Sequence, residues 1–336
     1  MNKTVSRWLT DAWYKEMYLS PLFTPLSLFY ADAVRFRRFL YRVGVFKQTR
    51  LPVPVIIVGN ITVGGTGKTP LVIKLAELLI LHGYKPGIVS RGYAGADYHQ
   101  PRAVFADSDA RQVGDEAVLL AGRCACPVFI GKRRVDAARL LLEQHDCDVI
   151  IADDGLQHYA LQRDIEIVVI DGERRFGNGY CLPAGPLREP PARLTEADFV
   201  VVNGGDPQPG ELPMDCRGEE LVNLSTGVRQ PLSAWDGAAC HAVAAIGNPE
   251  RFFKQLAAAG LRCEAHAFPD HYPYTLKDIQ FNDERPVIMT EKDAVKCRRL
   301  ADPRHWYLPV TAEIAEAFSQ QLLTLLAEKI HGYKIA

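Results

Sequence analysis

The segment Leu51–Leu71, LPVPVIIVGNITVGGTGKTPL, constrains the fold of this 336-residue chain more than any other. Its uninterrupted apolar, β-branched run from Val53 to Val58 predicts a strand buried on both faces, as in a parallel sheet covered by helices. A glycine-rich turn follows, and the apolar periodicity from Leu71 to Leu81 predicts a helix. Strand, glycine-rich turn and helix together make a phosphate-binding loop. Glycine lets backbone N–H groups converge on an anion with no Cβ in the way. The helix N-terminus adds free donors and the positive end of its dipole. Within Gly64, Gly65, Thr66, Gly67, Lys68 and Thr69, the ammonium of Lys68 suits the β- and γ-phosphates of a nucleotide and the hydroxyl of Thr69 suits Mg²⁺. Pro70 falls in the first helical turn, where a missing N–H is tolerated. The common form of the motif has glycine where this chain has Thr62, so the match is to its later part.

The length suggests about two domains. With 48% hydrophobic and 24% charged residues, a substantial core is available. A formal net charge of −1 argues against a general nucleic-acid binder. The 8 cysteines include no double pair at zinc-site spacing, so reduced thiols are expected. No secretory signal pattern is visible. The uncharged run from Met17 is short and interrupted by Pro21 and Pro25, so an integral membrane protein is not expected.

Residues 1–50 combine Trp8, Trp13, Tyr14, Tyr18, Leu19, Leu22, Phe23, Leu26, Leu28, Phe29 and Tyr30 with Arg35, Arg37, Arg38, Arg42, Lys47 and Arg50. That pairing suits an interfacial segment on an anionic membrane, and equally a helix packed on the domain with a solvated basic face. Residues 51–225 form the expected nucleotide domain, 226–240 a linker, and 241–336 a smaller α/β domain. A second strand, Pro86 to Ser90, ends at Arg91 and Tyr93, which makes Tyr93 a site candidate at the carboxyl edge of the sheet. The following stretch, 94–111, is polar and irregular. Asp115 stands where a helix N-cap would. The apolar strand Cys147 to Ala152 runs into Asp153 and Asp154; an acid there, downstream of a phosphate loop, holds Mg²⁺ directly or through water. Phe199 to Val202 is expected to complete the sheet. Between these, the long loop Gly172 to Arg193 offers Arg174, Arg175, Arg188 and Arg193 for phosphate groups.

Several motifs now act together: GGTGKTP, SRGY (Ser90–Tyr93), VGDEA (Val113–Ala117), ADDGLQH (Ala152–His158), FGNGYCLPAGPLREP (Phe176–Pro190), FPDHYPY (Phe268–Tyr274) and TEKDAVK (Thr290–Lys296). Their order and spacing, over about residues 15 to 330, resemble the tetraacyldisaccharide 4′-kinases, the lipid A 4′-kinases of Gram-negative bacteria. The resemblance implies a phosphate-loop α/β domain with a mostly parallel sheet, a second, smaller α/β domain, and nucleotide between them. It implies transfer of the γ-phosphoryl group of ATP, with Mg²⁺, to the 4′-hydroxyl of a tetraacyldisaccharide 1-phosphate, giving lipid IVA. It also implies a peripheral enzyme on the cytoplasmic face of the inner membrane, its partners being that glycolipid and the membrane surface. Carried onto this sequence, Lys68 and Thr69 are phosphate and Mg²⁺ residues, and Asp153 and Asp154 belong to the metal region. Asp115 becomes the catalytic base and His271 its partner, while Arg188 is a substrate-site position.

Because Asp115 and His271 fall in different predicted domains, their pairing would couple closure to catalysis. His158 is expected to be a structural histidine. The run Thr290 to Asp293 is a loose candidate for contacting the nucleotide base. A nucleotide-driven switch or metallochaperone of the deviant-loop class is the competing reading. Its signature lysine is replaced here by Val63, and a non-catalytic scaffold would not need Lys68, Thr69 and Asp153 together.

Overall fold

The computed structural model describes residues 12–14, 20–93, 95 and 100–335; Trp8, Tyr18 and Leu19 of the aromatic N-terminal stretch lie outside them. Two sheets organise the chain. The larger has the order β15-β8-β7-β6-β1-β5-β2-β4-β3. Its centre is β1 (Val55–Gly59), which pairs in parallel with β5 (Val149–Asp153) on one side and β6 (Ile165–Asp171) on the other. Parallel pairing continues through β2 (Pro86–Ser90) to β4 (Val128–Ile130), and through β7 (Phe199–Asn203) to β8 (Leu212–Arg217). The edges β3 (Arg102–Val104) and β15 (Thr311–Ile314) are antiparallel.

The unbroken apolar run of β1 follows from helices on both faces. Ile56 and Val58 face α2 (Lys68–Leu81), α4 (Asp115–Arg123) and the C-terminal α9 (Glu316–Ile335), through Leu71, Leu75, Leu120, Phe318, Leu322 and Leu326. Val55 and Ile57 face α5 (Arg134–Gln144) through Val135, Ala138 and Leu141, and reach Ala31 of α1 (Ser20–Arg42). The short α3 (Ala110–Val113) lies between β3 and α4.

The smaller sheet has the order β10-β9-β14-β13-β11-β12, with a parallel half formed by β12 (Arg262–Ala267), β11 (Ala239–Ala244), β13 (Val287–Thr290) and β14 (His305–Leu308). The helices α6 (Pro249–Ala258), α7 (Leu276–Ile279) and α8 (Glu291–Cys297) accompany it.

Strand membership departs from the expected boundaries. β9 (Glu220–Asn223) and β10 (Arg229–Pro231) belong to the smaller sheet, although they fall in the stretch assigned to the nucleotide domain and linker. β15 and α9 return to the larger one, so β7 does not complete that sheet. Short, half-exposed edge strands carry too little periodicity to declare their partners. The irregular stretch after Tyr93 likewise contains β3. Pro25 does not interrupt α1, which is continuous through it. The described residues contain no helix long and apolar enough to cross a membrane.

Candidate active site

Side chains with chemistry collect where the parallel strands end: Ser90, Asp153, Asp171 and Asn203 are the last residues of β2, β5, β6 and β7. In open α/β sheets that edge is the ligand edge. The loop after β1 turns through Gly64 at φ 105° and Gly67 at φ 95°, conformations that glycine adopts without a Cβ penalty. A Cβ on Gly67 would also stand 2.3 Å from Asn203 Nδ2, which donates to the carbonyl of Thr66 at 3.0 Å. Asn203 thus clamps the loop from β7, two strands away from β1, a contact that spacing alone did not reveal.

Lys68 and Thr69 open α2. Lys68 Nζ lies 3.4 Å from Asp154 Oδ1, and the Arg188 guanidinium lies 3.2 Å from both oxygens of Asp154. Asp153 is fully buried and accepts from Ser90 Oγ at 3.3 Å, while Arg134 donates to the carbonyl of Asp154 at 2.7 Å. Burial, with the charges of Glu116 and Asp154 nearby, pushes Asp153 up to about 7. Burial would raise Asp154 as well, but Lys68, Arg188 and Arg134 hold it well below the usual carboxylate range. This group fits Mg²⁺ with a polyphosphate. Its donors are hard oxygens, an acid forced up by burial and like charge is relieved by a cation, and the hydroxyl of Thr66 is buried with no partner among the described residues.

The second group is built around Asp115. Gly114, at φ 90°, precedes α4, so Asp115 is the first helical residue rather than the N-cap expected from sequence. Asp115 is 3% exposed, and His271 Nδ1 approaches its two oxygens at 2.9 and 3.0 Å. His271 sits in the turn after β12, at φ 59°, in a left-handed conformation unfavourable for a residue of its size. Lys292 bonds Glu116 and Asp270, both at 3.0 Å, and Lys296 lies 3.8 Å from Asp115 Oδ2. Burial would raise the Asp115 carboxyl, but His271, Lys292 and Lys296 bring it down to about 2. Burial and Lys292 would lower His271, but its hydrogen bond to Asp115 together with the charges of Asp115 and Asp270 outweighs them, so its value is raised. The exposed ring of Tyr93 lies 5.0 Å from that of His271. A cavity of about 700 Å³ opens beside the pair, lined among others by Arg111, Tyr274, Lys296, Arg298 and Arg299.

The predicted residues therefore fall into two clusters, the phosphate loop with Asp153, Asp154 and Arg188, and Asp115 with His271 and Tyr93. Glu116 links them, since its charge acts on Asp153 while its carboxylate pairs with Lys292. The smaller sheet also reaches the phosphate loop: a Cβ on Gly247 would stand 2.2 Å from the nitrogen of Gly65. Arg174 donates to the Gly247 carbonyl at 2.5 Å, and Asn248 and Arg251 hold Asp171 at 3.2 Å.

Three of the four loop arginines are engaged structurally. Arg174 serves Gly247, Arg175 forms a double hydrogen bond with Glu211, and Arg193 is buried against Glu166. The base-contact reading of Thr290 to Asp293 does not hold. Thr290 caps α8 by accepting from the Asp293 N–H, Asp293 accepts from the Ala245 N–H, Glu291 pairs with Arg123, and Lys292 turns to Glu116. Burial and neighbouring arginines lower His158 to about 4, and its buried Nε2 has no hydrogen-bond partner among the described residues. Lys292, Lys296, Glu116, Asn203 and Gly247 are the residues missed. Gly247-Asn248-Pro249, a glycine turn between strand and helix, was the available signal for the last.

The fold and this site define a phosphate-loop kinase with a second domain folded against its nucleotide edge. The family model described as tetraacyldisaccharide-1-P 4′-kinase matches residues 19–327. The chain is 51% identical over 316 residues to the tetraacyldisaccharide 4′-kinase of Nitrosococcus oceani, covering 94% of this chain and 93% of that one. It is 50% identical over 328 residues to that of Methylobacillus flagellatus, covering 97% and 98%. A crystal structure of the "apo" form of LpxK from Aquifex aeolicus in complex with ATP superposes with a TM-score of 0.76 at 29% identity, covering 93% of this chain and 99% of that one. The chain belongs to the tetraacyldisaccharide 4′-kinase family. It is a phosphotransferase with an alcohol acceptor.

Proposed function

We propose that this chain phosphorylates the 4′-hydroxyl of a tetraacylated glucosamine disaccharide 1-phosphate, with Asp115 as proton acceptor and His271 as its partner. The observation that carries this reading is the Asp115–His271 contact at 2.9 Å, made between residues 156 apart in sequence, one opening α4 beside the larger sheet and the other in the turn after β12 of the smaller. Phosphoryl transfer depends on positioning and on charge neutralisation. Lys68 and the amides of the glycine-rich loop hold the polyphosphate, and Asp153, Asp154 and Thr69 supply oxygen ligands. Mg²⁺, when bound, spreads the developing charge across the phosphates.

Asp115 is ionised at neutral pH and accepts a hydrogen bond from the sugar hydroxyl, then its proton as the new O–P bond forms and the bond from the γ-phosphorus to the departing ADP oxygen breaks. In a loose transition state that proton leaves late, so a weakly basic carboxylate in the right place suffices. His271 fixes the carboxylate's direction. The cavity is lined by Arg111, Lys296, Arg298 and Arg299 together with Asp107, Asp109 and Asp115, and its cations offer partners to a phosphorylated sugar.

The lipid's acyl chains place the reaction at a membrane surface, which we assign to the cytoplasmic face of the inner membrane. Helix α1 supports this, because Leu26, Phe29, Phe36 and Phe39 share one exposed face. Incubation with γ-labelled ATP, Mg²⁺ and the disaccharide 1-phosphate in detergent tests the reading. Label in the lipid at the 4′ position is expected; ATP hydrolysis without lipid labelling would sink it.

A further inference from the structure

We propose that His241, His266 and Glu264 form a divalent-cation site of the Zn²⁺ class that ties the edge strand of the smaller sheet to its neighbour. The three side chains share one face of the β11–β12 pair, because their positions alternate along parallel strands in register: His241 opposite Glu264, and Val243 opposite His266. Among the described residues they are the one group of histidines, cysteines and carboxylates whose ligand atoms all lie within 4.8 Å of one another. His241 Nδ1 and His266 Nε2 face each other at 3.0 Å, and Glu264 oxygens lie 3.7 and 3.8 Å from these nitrogens. Ligand atoms bonded at about 2.0–2.1 Å in a tetrahedral shell stand roughly 3.3 Å apart, so these separations bracket what a cation would impose.

The surroundings support a cation more than a bare histidine pair. His241 is 2% exposed, and its other nitrogen, Nε2, lies 3.1 Å from the carboxylate of Asp283. A carboxylate on the far nitrogen of an imidazole fixes the tautomer and turns the remaining lone pair toward the metal position. Phe281 stacks on the His241 ring at 3.7 Å and lies 4.6 Å from His266, so both rings are held in orientation. Glu264 Oε2 and Asp283 share Arg285, at 2.8 and 2.7 Å; two carboxylates against one guanidinium leave the cluster net negative. Glu264 is half-exposed, leaving the fourth position open to water. Two imidazoles and one carboxylate suit Zn²⁺, where an all-oxygen set would suit Mg²⁺. The cysteines of the same strands do not enter the set: Cys240 and Cys263 occupy adjacent positions in the alternation, on the opposite face, with their sulfurs 3.0 Å apart.

The test uses the full chain, stripped with a chelator and titrated with Co²⁺ and then Zn²⁺ in the presence of excess Mg²⁺. One Co²⁺ per chain is expected, with the visible absorption of a tetrahedral nitrogen/oxygen site, displaced by Zn²⁺ and accompanied by a rise in Tm. His266→Ala and Glu264→Gln should each abolish the absorption, while Asp283→Asn weakens binding about 10–100-fold. Kinase turnover should be unchanged in Glu264→Gln, which also reports that the variant is folded. Binding that is equal in wild type and His266→Ala, that saturates only at millimolar metal, or that carries a sulfur-to-cobalt charge-transfer band would overturn the proposal.

Discussion

Asp115 and His271 hold each other's charge, and the direction of each shift says when that hold is present. His271 titrates above its ordinary 6.5, so its contribution to stability is full below that value and disappears as pH rises through the raised one. Asp115 titrates at about 2 rather than 3.8, so its contribution is present above 3.8 and disappears as pH falls toward 2. The pair therefore secures the contact between the sheets in the window between. His271→Ala should lower Tm at pH 6 and leave it nearly unchanged at pH 10, read by thermal scans across pH. A deficit that is equal at both values would mean that packing, not the charge pair, is what the histidine contributes. The roles assigned to these two residues came through the family resemblance; read by itself, Asp115 looked like a helix cap. Lys292 and Lys296 were not legible in that role. A lysine in a helical stretch is ordinarily a solvated residue, and only the meeting of α8 with α4 turns these toward Glu116 and Asp115.

Elements with strong periodicity were recovered almost residue for residue. β1, β5 and β7 are mostly apolar, the last two closing on the polar Asp153 and Asn203, and α2 follows its glycine turn. The elements not recovered are those whose pattern is set by a distant partner. β8 and β15 pair only with each other and with β7 at the sheet edge, and β3 is a short antiparallel strand against β4. The long loop before Pro190 also has a job that arginine content did not show. It lines α1 and the phosphate loop together, through Ser27 Oγ donating to the Cys181 carbonyl at 2.7 Å and the Arg188 N–H donating to the Ile61 carbonyl at 2.6 Å. The resemblance led residues 1–50 to be expected as a membrane-interface segment, and helix α1 within them packs on the domain by one side, through Ser27 and Ala31. Its opposite side carries the exposed phenylalanines. Replacing Phe36 and Phe39 together by serine should reduce sedimentation with anionic vesicles about tenfold or more, since each ring contributes roughly 1.5–3 kcal/mol when taken out of water. ATP affinity should not change, and vesicle binding equal to wild type would remove the membrane role from this face.

At the scale of the molecule, the smaller sheet closes on the larger at two places, His271 on Asp115 and Gly247 on the phosphate loop. The sequence indicated the first through two motifs and the second only as the glycine turn Gly247-Asn248-Pro249, because Gly247 acts by having no side chain. Gly247→Ala would press a Cβ to 2.2 Å from the backbone of Gly65, where neither chain can yield without moving a strand end. The expected result is a fall in kcat/KM of about 10²-fold from misplacement of the second domain, with little change in Tm. An unaltered kcat/KM would show that this approach is not part of the catalytic arrangement. The account as a whole rests on Asp115 receiving the proton of the acceptor hydroxyl while the phosphate loop independently binds ATP. Single-turnover transfer of labelled phosphate to the disaccharide 1-phosphate by Asp115→Asn, at saturating ATP and Mg²⁺, measures this directly. The account predicts a rate lower by about 10²–10⁴-fold with ATP affinity unchanged; transfer at the wild-type rate would contradict it.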